Sequence, residues 1–135
     1  MAERKTRTAR WSRIERLLKV GAVAEKGNIA ALDKTNGSLV VAALGTTLEP
    51  IGYFEDSFTG DGTRKAKVRL FAEIDVALLG NAAAGPVADD DVGSLCYLAS
   101  SWEVSMTATG ASVAGKVWGV ATDGVWVQVF PQNEV

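Results

Sequence analysis

The chain has 135 residues, 47% of them apolar and 22% charged, with a net charge of −2, one cysteine and no histidine. Those values fit one folded globular domain and exclude a disordered chain. The missing histidine removes imidazole bases, triads and the commonest metal ligand; the single Cys96 removes an internal disulfide and any cysteine-based zinc site within one chain.

The charge is unevenly spread. Residues 1–20 hold seven of the fourteen bases and two of the sixteen acids, which makes them +5, and the remainder is −7. A basic arm on an acidic body fits nucleic acid, an acidic lipid surface or the acidic face of a neighbouring protein. The acidity of the body itself favours the protein partner. No apolar run reaches bilayer length and no signal peptide is visible, so a membrane partner is not expected.

Residues 1–12, `MAERKTRTARWS`, show no apolar periodicity and read as an arm. Trp11 lies within it, and such a ring either anchors in a partner's pocket or folds back on its own domain. In `RIERLLKV`, Ile14, Leu17 and Leu18 recur at helical spacing. One or two isolated turns are marginal, and the Val20-Gly21 break suits a strand end, so an extended segment is expected. The expected division is a basic arm over 1–19 and a β-rich domain over 20–135.

From Gly21 onward the patterns are those of strands. `NIAALD` and `GSLVVAAL` flank Lys34-Thr35-Asn36-Gly37, where Asn-Gly favours a hairpin turn. Pro50 and Gly52 read as punctuation before Tyr53-Phe54. Alternation is clearest from Lys65 to Leu78: Ala66, Val68, Leu70, Ala72, Ile74, Val76 and Leu78 share one face. Lys65, Lys67, Arg69, Phe71, Glu73 and Asp75 share the other. After the loop `GNAAAGPVADDDVG` come strands `SLCYLA` and `WEVSMTA`, with a turn at Ser100-Ser101.

The chain closes on a hairpin, `GKVWGVATDGVWVQVF`, whose Asp123-Gly124 predicts a two-residue turn. That register sets Thr122 opposite Val125, Val120 opposite Val127 and Trp118 opposite Val129, and expects Trp118 in the core. It also sets the Trp126 ring across Gly119. Trp102 and Trp126 fit either core or interface. The fold class expected is all-β, a single compact antiparallel β-barrel or β-sandwich with an extended basic N-terminal arm.

Chemistry is sparse. Asp89, Asp90 and Asp91 are consecutive, whereas calcium loops alternate their acidic ligands around a glycine, so the run reads as a solvated turn. `TGDGT` (59–63) lacks the lysine and spacing of a phosphate loop. Glu55, Asp56 and Asp61 form only a nonspecific acidic group. The remaining carboxylates and tyrosine, Glu103 and Tyr97 among them, show no catalytic spacing. No enzyme, cofactor or metal site is expected. The basic N-terminal arm together with Lys65, Lys67 and Arg69, and with Phe71 as the one ring available for stacking, offers the alternative of a nucleic-acid-binding β-domain, although Glu73 and Asp75 continue that face.

Four segments in order carry a resemblance: `VGAVAEKGNIAALD` (20–33), `GYFEDSFTGDGTRKAKVRLF` (52–71), `PVADDDVGSLCYL` (86–98) and `AGKVWGVATDGVWVQV` (114–129). Together, from Val20 to Val129, they resemble the capsid decoration (cement, head-stabilising) proteins of tailed bacteriophages. In the last segment Gly115, Gly119, Asp123, Gly124, Val125, Trp126 and Val127 match the family pattern. The strand from Lys65 lacks that pattern's mid-strand glycine, and the arm has no counterpart in it.

The resemblance implies a structural virion protein on the outer capsid surface, made in the host cytoplasm, that stabilises contacts between major capsid proteins. It further implies self-association, with a trimer favoured and a dimer as the second possibility. Contacts to capsid or sister subunit would then fall on Arg4, Arg7, Arg10, Trp11, Arg13 and Arg16.

Overall fold

Alternation at Lys65–Leu70 does what period two dictates: Ala66 and Val68 are fully buried while Lys65 and Lys67 face solvent. The structure, a computed structural model, describes residues 13–71 and 76–129. It is all-β with antiparallel sheets, as the strand patterns require. Strands β1 (Arg13–Leu17), β2 (Val23–Ala24), β3 (Ile29–Asp33), β4 (Leu39–Val41), β5 (Leu48–Phe54), β6 (Phe58–Thr59) and β7 (Lys65–Leu70) come first. They are followed by β8 (Ala77–Asn81), β9 (Leu95–Leu98), β10 (Glu103–Ser105), β11 (Val113–Ala121) and β12 (Gly124–Val129).

The strands form two main units. One is a five-stranded sheet in the order β1-β7-β5-β3-β4. A parallel bridge from Leu18 to Leu39 draws its two edges together. In the other, the pairings β10-β8-β12-β11-β9 form a closed cycle, completed by a short parallel contact of Glu103 and Val104 with Gly80 and Asn81. A ring of this kind leaves few unpaired edge groups. β2 and β6 pair separately.

Each unit encloses its own core, and β3 and β5 serve both. Ile29 and Ala31 enter the ring-side core, with Leu98, Val104, Val117, Val125 and Val127. Ala30 enters the other, with Leu18, Leu39, Phe54 and Val68. The alternation within `IAA` therefore feeds two cores at once, which explains a strand apolar on both faces.

Four expectations change in the overall fold. The strand from Lys65 ends at Leu70, and β8 begins at Ala77 in the ring; residues 72–75 lie outside the described residues. Phe71, expected on the solvent face, is only 2% exposed and sits 6.3 Å from the Tyr53 ring. Burying such a ring contributes about 1.5–3 kcal/mol, which outweighs continued alternation.

Pro50 and Gly52 do not interrupt β5. Pro50 sits opposite Ala31 where the β3 register shifts, the kind of place a strand accepts proline. A Cβ at Gly52 would stand 2.0 Å from the Arg69 carbonyl oxygen, so bare backbone is what lets β7 approach.

Finally, the segment 13–19, read as part of the arm, is built into the sheet. β1 pairs with β7 from Arg13↔Arg69 to Leu17↔Lys65, and Leu18 is 1% exposed. Its extended conformation is as expected.

Candidate interaction surfaces

The final hairpin turns one residue earlier than Asp123-Gly124 predicts. Ala121 pairs with Gly124, so Thr122 and Asp123 form the loop. Gly124 is claimed by the ring instead: a Cβ there would meet the Leu79 carbonyl oxygen at 2.4 Å. With that shift, unbroken pairing would turn Trp118 inward.

A bulge prevents it. Val117 pairs with Val127 and Gly119 with Trp126, leaving Trp118 as the extra residue. Val117, Val125 and Val127 fill the narrow ring interior, and Trp118, expected in the core, is 64% exposed. The Trp126 ring does not cover Gly119, whose missing Cβ has no atom within 4 Å.

Trp126 is 39% exposed and pairs outward with Leu78 on β8. Two residues along β8, on the same side, Gly80 supports the Trp102 ring: a Cβ there would lie 2.5 Å from it. Trp102 is itself 50% exposed. Three of the four tryptophans thus share one outer face of the ring. Among its outward positions on β8, β12 and β11, Lys116 is the one charge.

A second apolar surface lies where the edges of β1 and β4 meet. The Lys19 N–H donates to the Leu39 carbonyl at 2.9 Å, and Arg16 Nη2 donates to the Gly37 carbonyl at 3.0 Å. Between them runs an open trough of about 680 Å³, lined by Leu17, Val20 and Leu39 with Arg16, Lys19 and Lys65 at its rim. It continues past Val23 and Val41. Val20 and Val23 are among the most exposed aliphatic side chains described, at 68% and 63%. Glu15 is the trough's single acid.

Of the residues expected to make contacts, Arg16 is thus on the trough. Arg13, at the start of the same strand, is paired to Glu55 at 2.7 Å. Arg4, Arg7, Arg10 and Trp11 lie outside the described residues. Sequence reasoning missed Leu17, Val20 and Val23, because the trough arises from a bridge between strands far apart in the chain.

The acidic stretches are used locally. Asp89–Asp91 forms a 3-10 turn in which the Ala88 N–H donates to Asp91 Oδ2 at 2.8 Å. Asp61 Oδ1 accepts from the N–H groups of Arg64 and Thr63, at 2.9 Å each, and from the Thr63 hydroxyl. Those bonds, the Arg64 one foremost, hold its carboxyl below the ordinary 3.8. Asp33 is lowered likewise, first by the Thr35 hydroxyl and then by the Thr35 N–H. Burial pushes the Cys96 thiol up to about 12. Among the described residues, no three acids or cysteines converge as a metal site would need.

Searches against family models, curated proteins and solved structures each returned no match for this chain.

Proposed function

We propose that this chain is a structural virion protein that binds the outer surface of a tailed-phage capsid and stabilises contacts between major capsid proteins. One observation carries the reading: an apolar trough rimmed by Arg16, Lys19 and Lys65 lies on the strand into which the basic arm runs. Exposed aliphatic residues beside cations suit an acidic protein surface, which desolvates the valines and satisfies the charges. The order of turn and strand motifs supports the same reading. Each contact is modest, and repetition over a symmetric shell multiplies it.

Nucleic-acid binding is the less favoured alternative. The Lys65, Lys67 and Arg69 face would need a ring for base stacking, and Phe71 is buried.

The test is binding to empty shells by Val20→Asp with Lys19→Glu. Two unfavourable changes at one contact, each worth about 1 kcal/mol, predict roughly thirtyfold weaker affinity and a shallower salt dependence. Unchanged occupancy by a folded variant would remove the trough from the interface.

A further inference from the structure

We infer that the outer edge of β4, at the mouth of the trough, takes an extended acidic and aliphatic segment of the partner protein as an added strand. This rests on the reading of the trough as the contact surface and names what that surface holds.

The edge is a ladder that stops short. Ser38 and Ala42 turn their backbone groups to β3: the Asp33 N–H donates to the Ser38 carbonyl and the Ala42 N–H to the Ile29 carbonyl, both at 2.9 Å. Antiparallel alternation then turns Leu39 and Val41 to the opposite side. Leu39 is used there, since its carbonyl accepts the Lys19 N–H. One step further, a continued parallel pairing would join Val41 to the Lys19 carbonyl and the Gly21 N–H. Both are already committed: the Lys19 carbonyl accepts the Ala22 N–H, and the Gly21 N–H donates to the Gly60 carbonyl, each at 3.0 Å.

Gly60 draws that segment away from β4. A Cβ there would stand 2.2 Å from the Lys19 carbonyl oxygen, so the bare backbone is what admits the approach. Among the described residues, the N–H and C=O of Val41 are left without a backbone partner. An added strand needs such a donor and acceptor on one edge.

The surroundings select the strand's side chains. Val20, Val23 and Val40 line the opening beside Val41, and they suit an aliphatic face. Arg16, Lys19 and Lys65 stand at the rim against Glu15 alone. Lys19 shares the field of Asp33, which lies off the trough, while Arg16 and Lys65 form no ion pair with a described residue. Acidic side chains complement that rim. The chain's own arm is disfavoured, because residues 1–12 hold four bases and one acid. A nucleic acid would meet the cations but leave the valines wet.

The test titrates the full chain at low salt with a blocked hexapeptide of alternating valine and glutamate, and with its lysine counterpart. Amide exchange at Val41 is followed by NMR. The acidic peptide is expected to bind and to slow that exchange about tenfold or more at saturation. The lysine peptide, and the acidic peptide on Lys19→Glu, should each bind at least about tenfold more weakly.

No binding at about 1 mM acidic peptide overturns the inference. So does saturation with unchanged exchange at Val41, or equal binding of the two peptides. Reading the same amide on shells separates the two claims. Occupied shells without protection at Val41 overturn the added strand and leave the shell reading standing. Peptide capture by a chain that ignores shells does the reverse.

Discussion

Trp102 lies flat across Gly80, so closely that a Cβ on the glycine would stand 2.5 Å from the ring. Gly80 also pairs with Glu103 at the parallel contact that completes the ring of strands. One glycine thus seats an exposed indole and serves the ring's closure. Gly80→Ala is expected to push the indole off the sheet, with a loss of about 1–2 kcal/mol in denaturant unfolding. A red-shifted tryptophan emission should accompany it. An unshifted spectrum would mean that the ring rests elsewhere.

Two other strand glycines should answer oppositely. Gly52→Ala drives a methyl into the Arg69 carbonyl, which is backbone and cannot rotate away. Loss of about 3 kcal/mol, or failure to fold, is expected. Gly119→Ala meets open space and has no positive φ to relieve, so its effect should stay within about 0.5 kcal/mol. Equal effects at the two sites would contradict the β5–β7 approach and the open gap beside Trp118.

Much of this was legible in the chain. Asn36-Gly37 marks the β3–β4 connection, where Gly37 has φ +76°. The final hairpin is real, but its register hides behind a competition for Gly124 that Asp-Gly statistics cannot express. Trp118-Gly119 within a β-branched run was the available sign of a bulge, since an isolated glycine in a strand often marks one. No local pattern foretells the trough or the Trp102–Gly80 contact. The first depends on Leu18 meeting Leu39, the second on a ring packing 22 positions from its glycine, and neither leaves a period in the sequence.

Cys96 is fully buried, and its thiol is pushed up to about 12 from 9.0. A raised folded value favours the protonated form. Its contribution is therefore complete below pH 9 and declines as pH rises toward 12, by up to about 4 kcal/mol at the upper limit. Cys96→Ala should show a flatter loss of stability over that window than wild type. At neutral pH the thiol should resist disulfide-exchange reagents until denaturant is added. Rapid native-state labelling would contradict the burial.

Acid should act through the loops. Asp33 and Asp61 both have lowered folded values, so the stability they confer is present above the ordinary carboxylate value of 3.8 and fades as pH falls below it. Asp61 is exposed and Asp33 partly so, so the effect is small and screened by salt. Asp61→Asn should blunt the acid-side decline measured by thermal unfolding between pH 5 and pH 2, leaving neutral stability nearly unchanged. An identical pH profile would show that the Thr63 and Arg64 bonds contribute nothing.

Attachment to a shell is the proposed function, and copy number on that shell measures it most directly. Purified protein titrated onto empty tailed-phage capsids of its own virion should saturate at a count fixed by the lattice symmetry, and should raise the temperature at which the shells rupture. Sedimentation of the shells without bound protein, at low salt and with the chain in excess, would contradict the account.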